Sequence, residues 1–489
     1  MSATSPAPKA CTSCASRDAV IEELAAANME LSAANAQLAE RVAKLERLIG
    51  RNSDNSSMPP STDDVPGRTA RSPKTGKRSE RRRGKQQGVA GAGLPRVDNP
   101  DETVHVFPQA CADCGAGLAD GADAGVSSRQ VFDVPPVTVR VTEYLLYKKQ
   151  CRCGCVTAAT PPAGVADAPV SYGPNMQAFV AYLLVFQHVP VHRAAMLIAD
   201  LTGARPSTGF VHGILRRCAN ALGEVMTLVK TLVTRATVAG FDETTVRCGP
   251  AGRKKYVLSA STELATLFFL GGRDLGSFTE FGVLPGFTGV AVHDRYGVYD
   301  NTAFAGVGGH QICCAHILRD LQDAAEVYPG QHWPEQASRA LRGLIGGWHQ
   351  ARDRGQARVP ADVANPLVSQ FRHAVRVGLS QVPPVPGANA KQLPGRSLLE
   401  CLRDRQDDLL RFCADTQVWP TNNISERDLR PLKTQQKISG RLQSADVTRD
   451  RLTIRGYIST AAKHGVDIMT ALRDAMTDTP WTPPIPAPT

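Results

Sequence analysis

The feature that most constrains the fold lies between residues 236 and 300, where strand-like segments alternate with short breaks. Three segments rich in β-branched and apolar residues follow one another after polar or glycine-containing breaks: 236–247, 255–261 and 264–270. This spacing predicts neighbouring antiparallel strands. A short helix over 277–284 and a fourth strand over 288–293 are predicted to follow.

Two aspartates mark this predicted sheet. Asp242 lies within the first strand, and Asp294 directly follows the fourth. Because a crossover connection normally returns a strand parallel to the first, we expect the two carboxylates to lie side by side at one end of the sheet. Such carboxylates raise each other's pKa unless a cation lies between them, and oxygen ligands suit Mg²⁺ or Mn²⁺. The alternative is that both are ordinary strand-end and turn residues.

Length and charge indicate several domains and an anionic partner. A chain of 489 residues is too long for one core, and its formal net charge of +10 favours a polyanion. No run of about 18 apolar residues and no signal peptide is evident, which predicts a soluble, intracellular protein. Thirteen cysteines, an odd number, argue against a disulfide framework and for metal binding.

A leucine heptad follows a flexible start, residues 1–17, whose Cys11 and Cys14 are either a metal site or, as we favour, unpaired thiols. The heptad, residues 18–50, predicts a parallel two-stranded coiled coil and hence a homodimer. Its alternative is a single amphipathic helix that packs on its own protein. The two seams contain Leu24, Leu31, Leu38 and Leu45, and Ile21, Asn28, Asn35, Val42 and Ile49.

Residues 51–99 are predicted to be a basic, disordered linker. Between residues 68 and 85 nine basic residues oppose one acid, Glu80. Such a segment is either a solvated spacer or an arm that neutralises phosphates, and we favour the arm. The residues expected to contact DNA are Arg81, Arg82, Arg83 and Lys85.

Residues 100–165 are predicted to form a small zinc-binding β domain. Cys111 and Cys114 have the spacing of a zinc knuckle, and a second cluster follows a strand-rich stretch that resembles a β-hairpin. We assign Cys151 and Cys153 as the second pair, with Cys155 as a substitute. Reduced, metal-free thiols are the alternative.

Residues 166–235 are predicted to form a helical module. Helices are expected over 175–189, 192–201 and 208–222, and the last one contains Arg216 and Arg217. Two helices joined by a short glycine-containing turn resemble a helix-turn-helix, in which the second helix enters the major groove. The same shape is common in purely structural helix pairs.

A helix after the predicted core strands places Cys313 and His316 on one face. The pair either binds zinc or, by default, packs against the sheet edge. The core is predicted to occupy residues 236–325 and 416–475. A helical insertion, residues 326–415, separates these parts, and a Pro-rich tail, residues 476–489, ends the chain.

A third acidic residue, Glu426, is predicted to lie near the start of the helix on which the chain returns to the sheet. Thr421, Asn422 and Asn423 offer capping groups for this helix, and Glu426 falls in its first turns. Pro431 is expected to kink or shorten the helix.

Three motifs together resemble the insertion-sequence-66 family of DDE-class transposases: Asp242-Glu-Thr, Asp294-Arg-Tyr and Asn423-Ile-Ser-Glu-Arg-x-Leu-Arg-Pro. The resemblance covers nearly the whole chain, and its third motif is specific. It implies a multidomain α/β protein with an RNase H-like mixed sheet, in which Asp242, Asp294 and Glu426 bind Mg²⁺ or Mn²⁺. A Cys-x-x-His after the second aspartate is also known in such cores. The irregular second cysteine cluster departs from the pattern and leaves the fourth zinc ligand open.

The implied activity is metal-dependent DNA cleavage at the ends of a mobile element and strand transfer into target DNA. Asp242 is expected to bridge two metal ions, with Asp294 and Glu426 each binding one. The residues expected to hold flanking phosphates are Arg427, Arg430 and Lys433. The alternatives are a dimeric DNA-binding regulator with an inactive RNase H-like core, and a nuclease that cuts without joining.

Overall fold

A computed structural model describes residues 93–162, 165–384 and 394–485, together with residues 21, 23–32, 34, 35, 38 and 42. Several residues singled out in the sequence lie outside this described part: Cys11, Cys14, Leu45, Ile49, Arg81, Arg82, Arg83 and Lys85. Among the helices of the described part, none combines the length and the apolar character that a membrane span requires.

The described chain divides into two units. The smaller comprises residues 93–142 and 197–205, and the larger contains residues 143–196 and 206–485. In the smaller unit, the Gln130 side chain exchanges two hydrogen bonds with the Val97 backbone, and an isolated bridge joins Ala110 to Gly117.

A two-stranded hairpin, β1 (Lys148–Gln150) and β2 (Val156–Ala158), encloses the second cysteine cluster. The β structure expected between the two cysteine clusters is not formed, since residues 118–147, all of them described, contain no strand. Val126, Val131 and Val141 are at least 88% exposed there. Without a face to bury, this β-prone sequence has little to stabilise strands.

Helices form in the segment for which a helical module was predicted. A π-helical segment, Tyr182–Phe186, extends the first of its four helices. The helices are α1 (Pro174–Ala181), α2 (Val191–Thr202), α3 (Thr208–Ala221) and α4 (Gly223–Thr234). The Ser207 hydroxyl caps α3 by accepting a hydrogen bond from the Phe210 N–H.

A five-stranded mixed sheet follows, in the order β5-β4-β3-β6-β7. The strands β3, β4 and β5 are antiparallel neighbours, whereas β6 and β7 run parallel to β3. The mixed α/β class predicted from the sequence is therefore confirmed. The strands are β3 (Val238–Cys248), β4 (Arg253–Ser261), β5 (Thr266–Gly271), β6 (Val290–His293) and β7 (Gly309–Ile312), and α5 (Leu275–Phe281) lies between β5 and β6.

Helices form the rest of the larger unit. They are α6 (Cys314–Val327), α7 (Trp333–Asp353), α8 (Ala361–Gln381), α9 (Pro394–Asp404), α10 (Gln406–Ala414), α11 (Asn423–Ser439), α12 (Ala445–Lys463) and α13 (Ile468–Ala475). Helix α11 continues for eight residues past Pro431, so the predicted shortening does not occur. Pro431 is partly exposed while the neighbouring Leu429 and Leu432 are buried, and this burial holds the helix on the sheet.

In the described part of the chain, two clusters of buried apolar side chains pack against the sheet. The first joins β6, β7 and α6 to helices α7–α10 through buried side chains that include Val292, Ile312, Trp333, Phe371 and Phe412. The second joins β3, β4 and β5 to α11 and α12 through side chains that include Val246, Val257, Leu270, Leu429 and Leu452. The chain thus leaves the sheet after β7 for a series of helices and returns to it with α11.

Candidate active site

The parallel pairing of β3 and β6 determines where the two aspartates lie. Gly240 of β3 is the register partner of Val292 in β6. Asp242 and Asp294 each lie two residues further along the chain, toward the carboxyl ends of these strands. The structure therefore brings both aspartates to the same end of the sheet.

Helix α11 begins against β3, beside Gly240. A Cβ atom on this glycine would lie 2.6 Å from the Asn422 Oδ1. The Asn422 side chain is fully buried, and its Nδ2 donates a hydrogen bond of 2.7 Å to the Phe241 carbonyl. The first turn of α11, which carries Glu426, is consequently fixed next to the strand that carries Asp242.

The electrostatics of Asp242 reflect how close the acidic groups are. Burial raises the pKa of Asp242 well above its usual range, and the negative charges of Glu243, Glu426 and Asp294 raise it further. Burial also raises the pKa of Asp294, against the Tyr296 N–H, which donates to its Oδ1 at 2.8 Å. Because like charges repel, this group of carboxylates favours a cation or a proton.

A fourth carboxylate, Glu243, was missed by the sequence reasoning. Its side chain is 3% exposed, and its oxygens accept hydrogen bonds from Arg273 Nε at 2.6 Å and from the Tyr299 hydroxyl at 2.8 Å. Burial raises the pKa of Glu243, as does the charge of Asp294, whereas Arg273 and Tyr299 lower it. The only sequence signal was the Asp-Glu doublet, because the partners come from distant segments.

Arg273 links this fourth carboxylate to the second aspartate. Its guanidinium lies 3.5 Å from Asp294 and 4.0 Å from the centre of the Tyr296 ring. A cleft of about 210 Å³ opens beside Asp294, and its lining includes two arginines. The lining residues are Arg273, Asp294, Arg295, Tyr296, His316 and Asp320.

Glu426 faces two basic side chains of α6. Its carboxylate lies 3.9 Å from the His316 Nε2 and 3.6 Å from the Arg319 guanidinium. Burial lowers the pKa of His316 to about 3, so the ring is neutral. Cys313, which immediately precedes α6, is fully buried and accepts a hydrogen bond of 3.1 Å from the Asn422 N–H. The predicted pair Cys313 and His316 thus adjoins Glu426.

The residues predicted to contact DNA lie in different surroundings. Arg427 and Arg430 lie on α11, and both are exposed, as phosphate contacts require. Lys433 is half-buried and donates to the Thr245 carbonyl at 2.6 Å, so it ties α11 to β3.

The arginines of α3 are engaged within the protein. Arg216 pairs with Asp450 of α12 at 2.8 Å, and Arg217 donates a hydrogen bond of 3.0 Å to Gln177. Val211, Ile214 and Leu215 bury one face of α3, so this helix has a packing role in the larger unit.

Each cysteine cluster forms a tight turn. The Gly115 N–H donates to the Cys111 carbonyl, and the Gly154 N–H donates to the Cys151 carbonyl at 2.8 Å. Both glycines have positive φ angles, 72° and 86°, which glycine adopts without strain.

Backbone groups in these turns favour thiolates. Hydrogen bonds from the Cys114 and Asp113 backbone lower the pKa of the Cys111 thiol, and those from the Cys153 backbone lower the pKa of Cys151. Thiolates are the form that binds zinc.

Comparison with known proteins gives the family. The family described as "Transposase IS66 family" matches residues 169–449, more than half of the chain. The "zinc-finger binding domain of transposase IS66" matches residues 108–154, a range that includes both predicted cysteine pairs but excludes Cys155. A family of unknown function matches residues 11–95.

A relative from Sinorhizobium fredii, the uncharacterized protein y4jO, is 26% identical over 181 residues. The matched segment covers 37% of this chain and 51% of that protein, so the chain spans about half the length of this curated relative. The family matches are more extensive and span the cysteine domain, the helical module and the sheet. On these matches, the chain belongs to the IS66 family of transposases and carries that family's zinc-finger domain.

Proposed function

We propose that the protein is a DDE transposase that cleaves DNA at the ends of its element and joins those ends to target DNA. Asp242, Asp294 and Glu426 would hold Mg²⁺ or Mn²⁺ on an RNase H-like core. The observation that carries this proposal is the convergence of carboxylates from β3, β6 and α11, whose charges raise the pKa of Asp242.

The donor set fits a hard divalent cation. Three carboxylates supply only oxygen ligands, which Mg²⁺ and Mn²⁺ prefer. Burial raises the pKa of Asp242 and that of Asp294, and the charges of Glu243, Glu426 and Asp294 raise that of Asp242 further, so a cation bound among them would be stabilising. When bound, a pair of such ions would activate the attacking oxygen and stabilise the leaving one.

Arginine side chains of the protein can hold the carboxylates in place and bind DNA phosphates. Arg273 holds Glu243 and Asp294 in place through contacts of 2.6 and 3.5 Å. The cleft beside Asp294 exposes Arg273 and Arg295, which can pair with a DNA phosphate next to the bond that breaks. Arg427 and Arg430 are exposed on α11 and would hold flanking phosphates.

The coiled coil and cysteine domain would assemble the protein on its DNA. Leu24, Leu31 and Leu38 of the heptad are 54–63% exposed in the single chain, which leaves their seam available for a second copy. The cysteine domain would bind zinc through Cys111, Cys114, Cys151 and Cys153. Residues Arg81–Arg83 and Lys85 would neutralise phosphates without reading sequence.

A cleavage assay tests the catalytic proposal. Labelled DNA that carries an element end and its flank is incubated with the full chain and Mg²⁺, and nicked and joined products are resolved. Asp242→Asn, Asp294→Asn and Glu426→Gln should each abolish both products while DNA binding persists. Glu280→Gln, an exposed carboxylate on α5, is the matched control and should cleave like the wild type.

A metal-rescue experiment tests whether loss of cleavage results from loss of metal binding. Asp242→Cys should be inactive with Mg²⁺ and regain cleavage with Mn²⁺, because thiolate binds the softer ion. Cleavage by Asp242→Asn at the wild-type rate would refute the proposed triad. DNA binding without any cleavage by the wild type would favour the regulator with an inactive core, and nicking without joining would favour a nuclease.

A further inference from the structure

Three side chains with different donor atoms meet where α6 and α11 begin. The Cys313 Sγ, a ring nitrogen of His316 and a carboxylate oxygen of Glu426 all lie within 4.8 Å of one another. Cys313 and His316 are fully or largely buried, and the Glu426 side chain is 24% exposed. Solvent therefore reaches the cluster mainly through the Glu426 carboxylate.

Hydrogen bonds between the two helix starts hold this cluster together. Cys313 precedes the first residue of α6, and the His316 N–H donates to the Cys313 carbonyl at 3.1 Å, so both belong to one turn. The Asn422 N–H donates to the Cys313 Sγ, which fixes the start of α11 against that turn.

The cluster leaves bonding capacity unused. The His316 Nδ1 is buried without a hydrogen-bond partner in the described structure. The contacts of Glu426 with His316 and Arg319, at 3.9 and 3.6 Å, are longer than hydrogen bonds. Ligands of tetrahedral zinc stand about 2.0–2.3 Å from the ion and hence roughly 3.3–3.8 Å from each other. A contraction of about 1 Å would bring these three donors to that geometry.

We propose that Cys313, His316 and Glu426 form a second transition-metal site that takes Zn²⁺ or Co²⁺, with water as the fourth ligand. Sulfur and imidazole donors select such ions over Mg²⁺. The Cys313 thiol releases its proton to solvent when it binds the ion. This site differs from the cysteine domain, since it shares no residue with it.

An ion at the second metal site would compete with the catalytic site for Glu426, an effect that rests on the proposed function. Glu426 cannot serve an ion at Cys313 and His316 and at the same time complete the carboxylate group of Asp242 and Asp294. Zinc bound here therefore inhibits Mg²⁺-dependent cleavage. Arg319, a cation 3.6 Å from Glu426, opposes binding of the second cation and keeps the site weak.

Metal binding is measured first, on the full chain and without any activity assay. Cobalt is titrated into protein that has first received one equivalent of zinc, which the four-cysteine domain takes in preference to the weaker second site, and thiolate-to-cobalt absorption in the near ultraviolet is followed. Cys313→Ser should abolish this absorption, and His316→Gln should weaken binding by about a hundredfold, at least as much as loss of an outer-shell partner costs. Arg319→Gln should tighten binding.

Cys314→Ser is the matched control. Cys314 is equally buried, but its sulfur lies near the Leu409 carbonyl, at 3.7 Å, outside the cluster. This variant should bind cobalt like the wild type. Wild-type protein that shows no thiolate-to-cobalt absorption, or shows the same absorption after Cys313→Ser, overturns the proposed site. Circular dichroism of each variant separates loss of a ligand from loss of the fold.

Inhibition is measured second. Zinc added to an Mg²⁺-dependent cleavage reaction should inhibit the wild type and Cys314→Ser. Half-inhibition of Cys313→Ser should require at least about tenfold more zinc, because loss of a ligand contact weakens metal binding at least that much. Equal zinc sensitivity of Cys313→Ser and the wild type would overturn the inhibitory role. Absence of cleavage under every condition would refute the proposed transposase activity, whereas the cobalt spectra would still decide the metal site.

Discussion

A Cβ atom on Gly240 of β3 would lie 2.5 Å from the Ser425 Oγ of α11. The helix that carries Glu426 therefore approaches the strand that carries Asp242 more closely than any other residue at position 240 permits. Ser425 and Asn422 are both buried, so neither can move into solvent.

We expect Gly240→Ala to separate α11 from β3 and to impair cleavage more than folding. Overpacking of this kind costs about 1–3 kcal/mol of stability, and a displacement of about 1 Å of a catalytic group costs about a hundredfold in rate. Urea denaturation and the cleavage assay measure the two effects. Gly223→Ala, where nothing lies within 4 Å of the added atom, is the control and should retain activity. Full activity in Gly240→Ala would show that the close approach does not position Glu426.

Asp242→Asn should stabilise the metal-free protein at neutral pH. Because the folded pKa of Asp242 is raised, its contribution to stability is complete below the unfolded pKa of about 3.9 and is lost as pH rises through the folded value. We expect a gain of about 1 kcal/mol at neutral pH that disappears in acid, near the unfolded pKa. Urea denaturation of Asp242→Asn and of the wild type, at neutral pH and near the unfolded pKa, measures this difference in stability.

The effect of Mg²⁺ on stability tests the same repulsion between carboxylates. The cation should stabilise the wild type more than Asp242→Asn, because it binds the folded carboxylates. Glu280→Gln should behave like the wild type with and without Mg²⁺. A metal-free Asp242→Asn protein that is less stable than the wild type at neutral pH would contradict the repulsion between these carboxylates.

His188 should limit stability in acid. Burial, together with the charges of Arg455 and Arg451, lowers its pKa to about 4. With the folded pKa below the unfolded value of about 6.5, the stability from the neutral ring is present above the unfolded pKa and is lost as pH falls toward the folded one. His188 also has a φ of 58°, which asparagine tolerates.

Both proteins lose stability as the pH falls from neutral to the folded pKa of His188. The loss in free energy of unfolding should be about 2 kcal/mol smaller for His188→Asn than for the wild type. Denaturation midpoints at several pH values give this difference. His192→Asn removes an exposed histidine from α2 and should leave the acid profile unchanged. Parallel profiles for His188→Asn and the wild type would show that His188 titrates normally.

Asp428, two residues after Glu426, anchors α11 to the sheet. Its Oδ2 accepts bonds from Lys463 at 2.7 Å, from Ser261 at 2.9 Å and from Thr266 at 2.8 Å. Asp428→Asn leaves the buried Lys463 charge unpaired and should cost about 3 kcal/mol. The double variant Asp428→Asn/Lys463→Met should cost less than the sum of the singles in urea denaturation. Additive costs would mean that the two groups do not interact.

The zinc content of the cysteine domain should depend on both knuckles. Cys111→Ser and Cys151→Ser should each lose the domain's ion, because structural zinc needs four ligands. Mass spectrometry of the native protein counts the metal. Cys153→Ser and Cys155→Ser discriminate between these two residues as the fourth ligand, and loss of zinc in Cys155→Ser but not in Cys153→Ser would replace our assignment. Cys401→Ser, far along the chain, is the control.

Much of the architecture was predictable from local pattern. The β-branched runs between residues 236 and 293 specified the strands, and the crossover rule specified that β6 runs parallel to β3. That rule alone put Asp242 and Asp294 at one end of the sheet. The order of the cysteine knuckles, helices and the Glu426 motif was sufficient to identify the family, which the matches over residues 169–449 and 108–154 confirm.

Contacts between distant segments were decided only by the tertiary structure. No local pattern indicates that Arg273 and Tyr299 would enclose Glu243, or that Gly240 would accept the start of α11. Lys433 was expected to bind phosphate, yet it donates to the Thr245 carbonyl. Periodicity determines which face of an element is apolar, because that depends on backbone geometry alone. Which charged side chains meet depends on how those faces pack, and packing is a property of the whole chain.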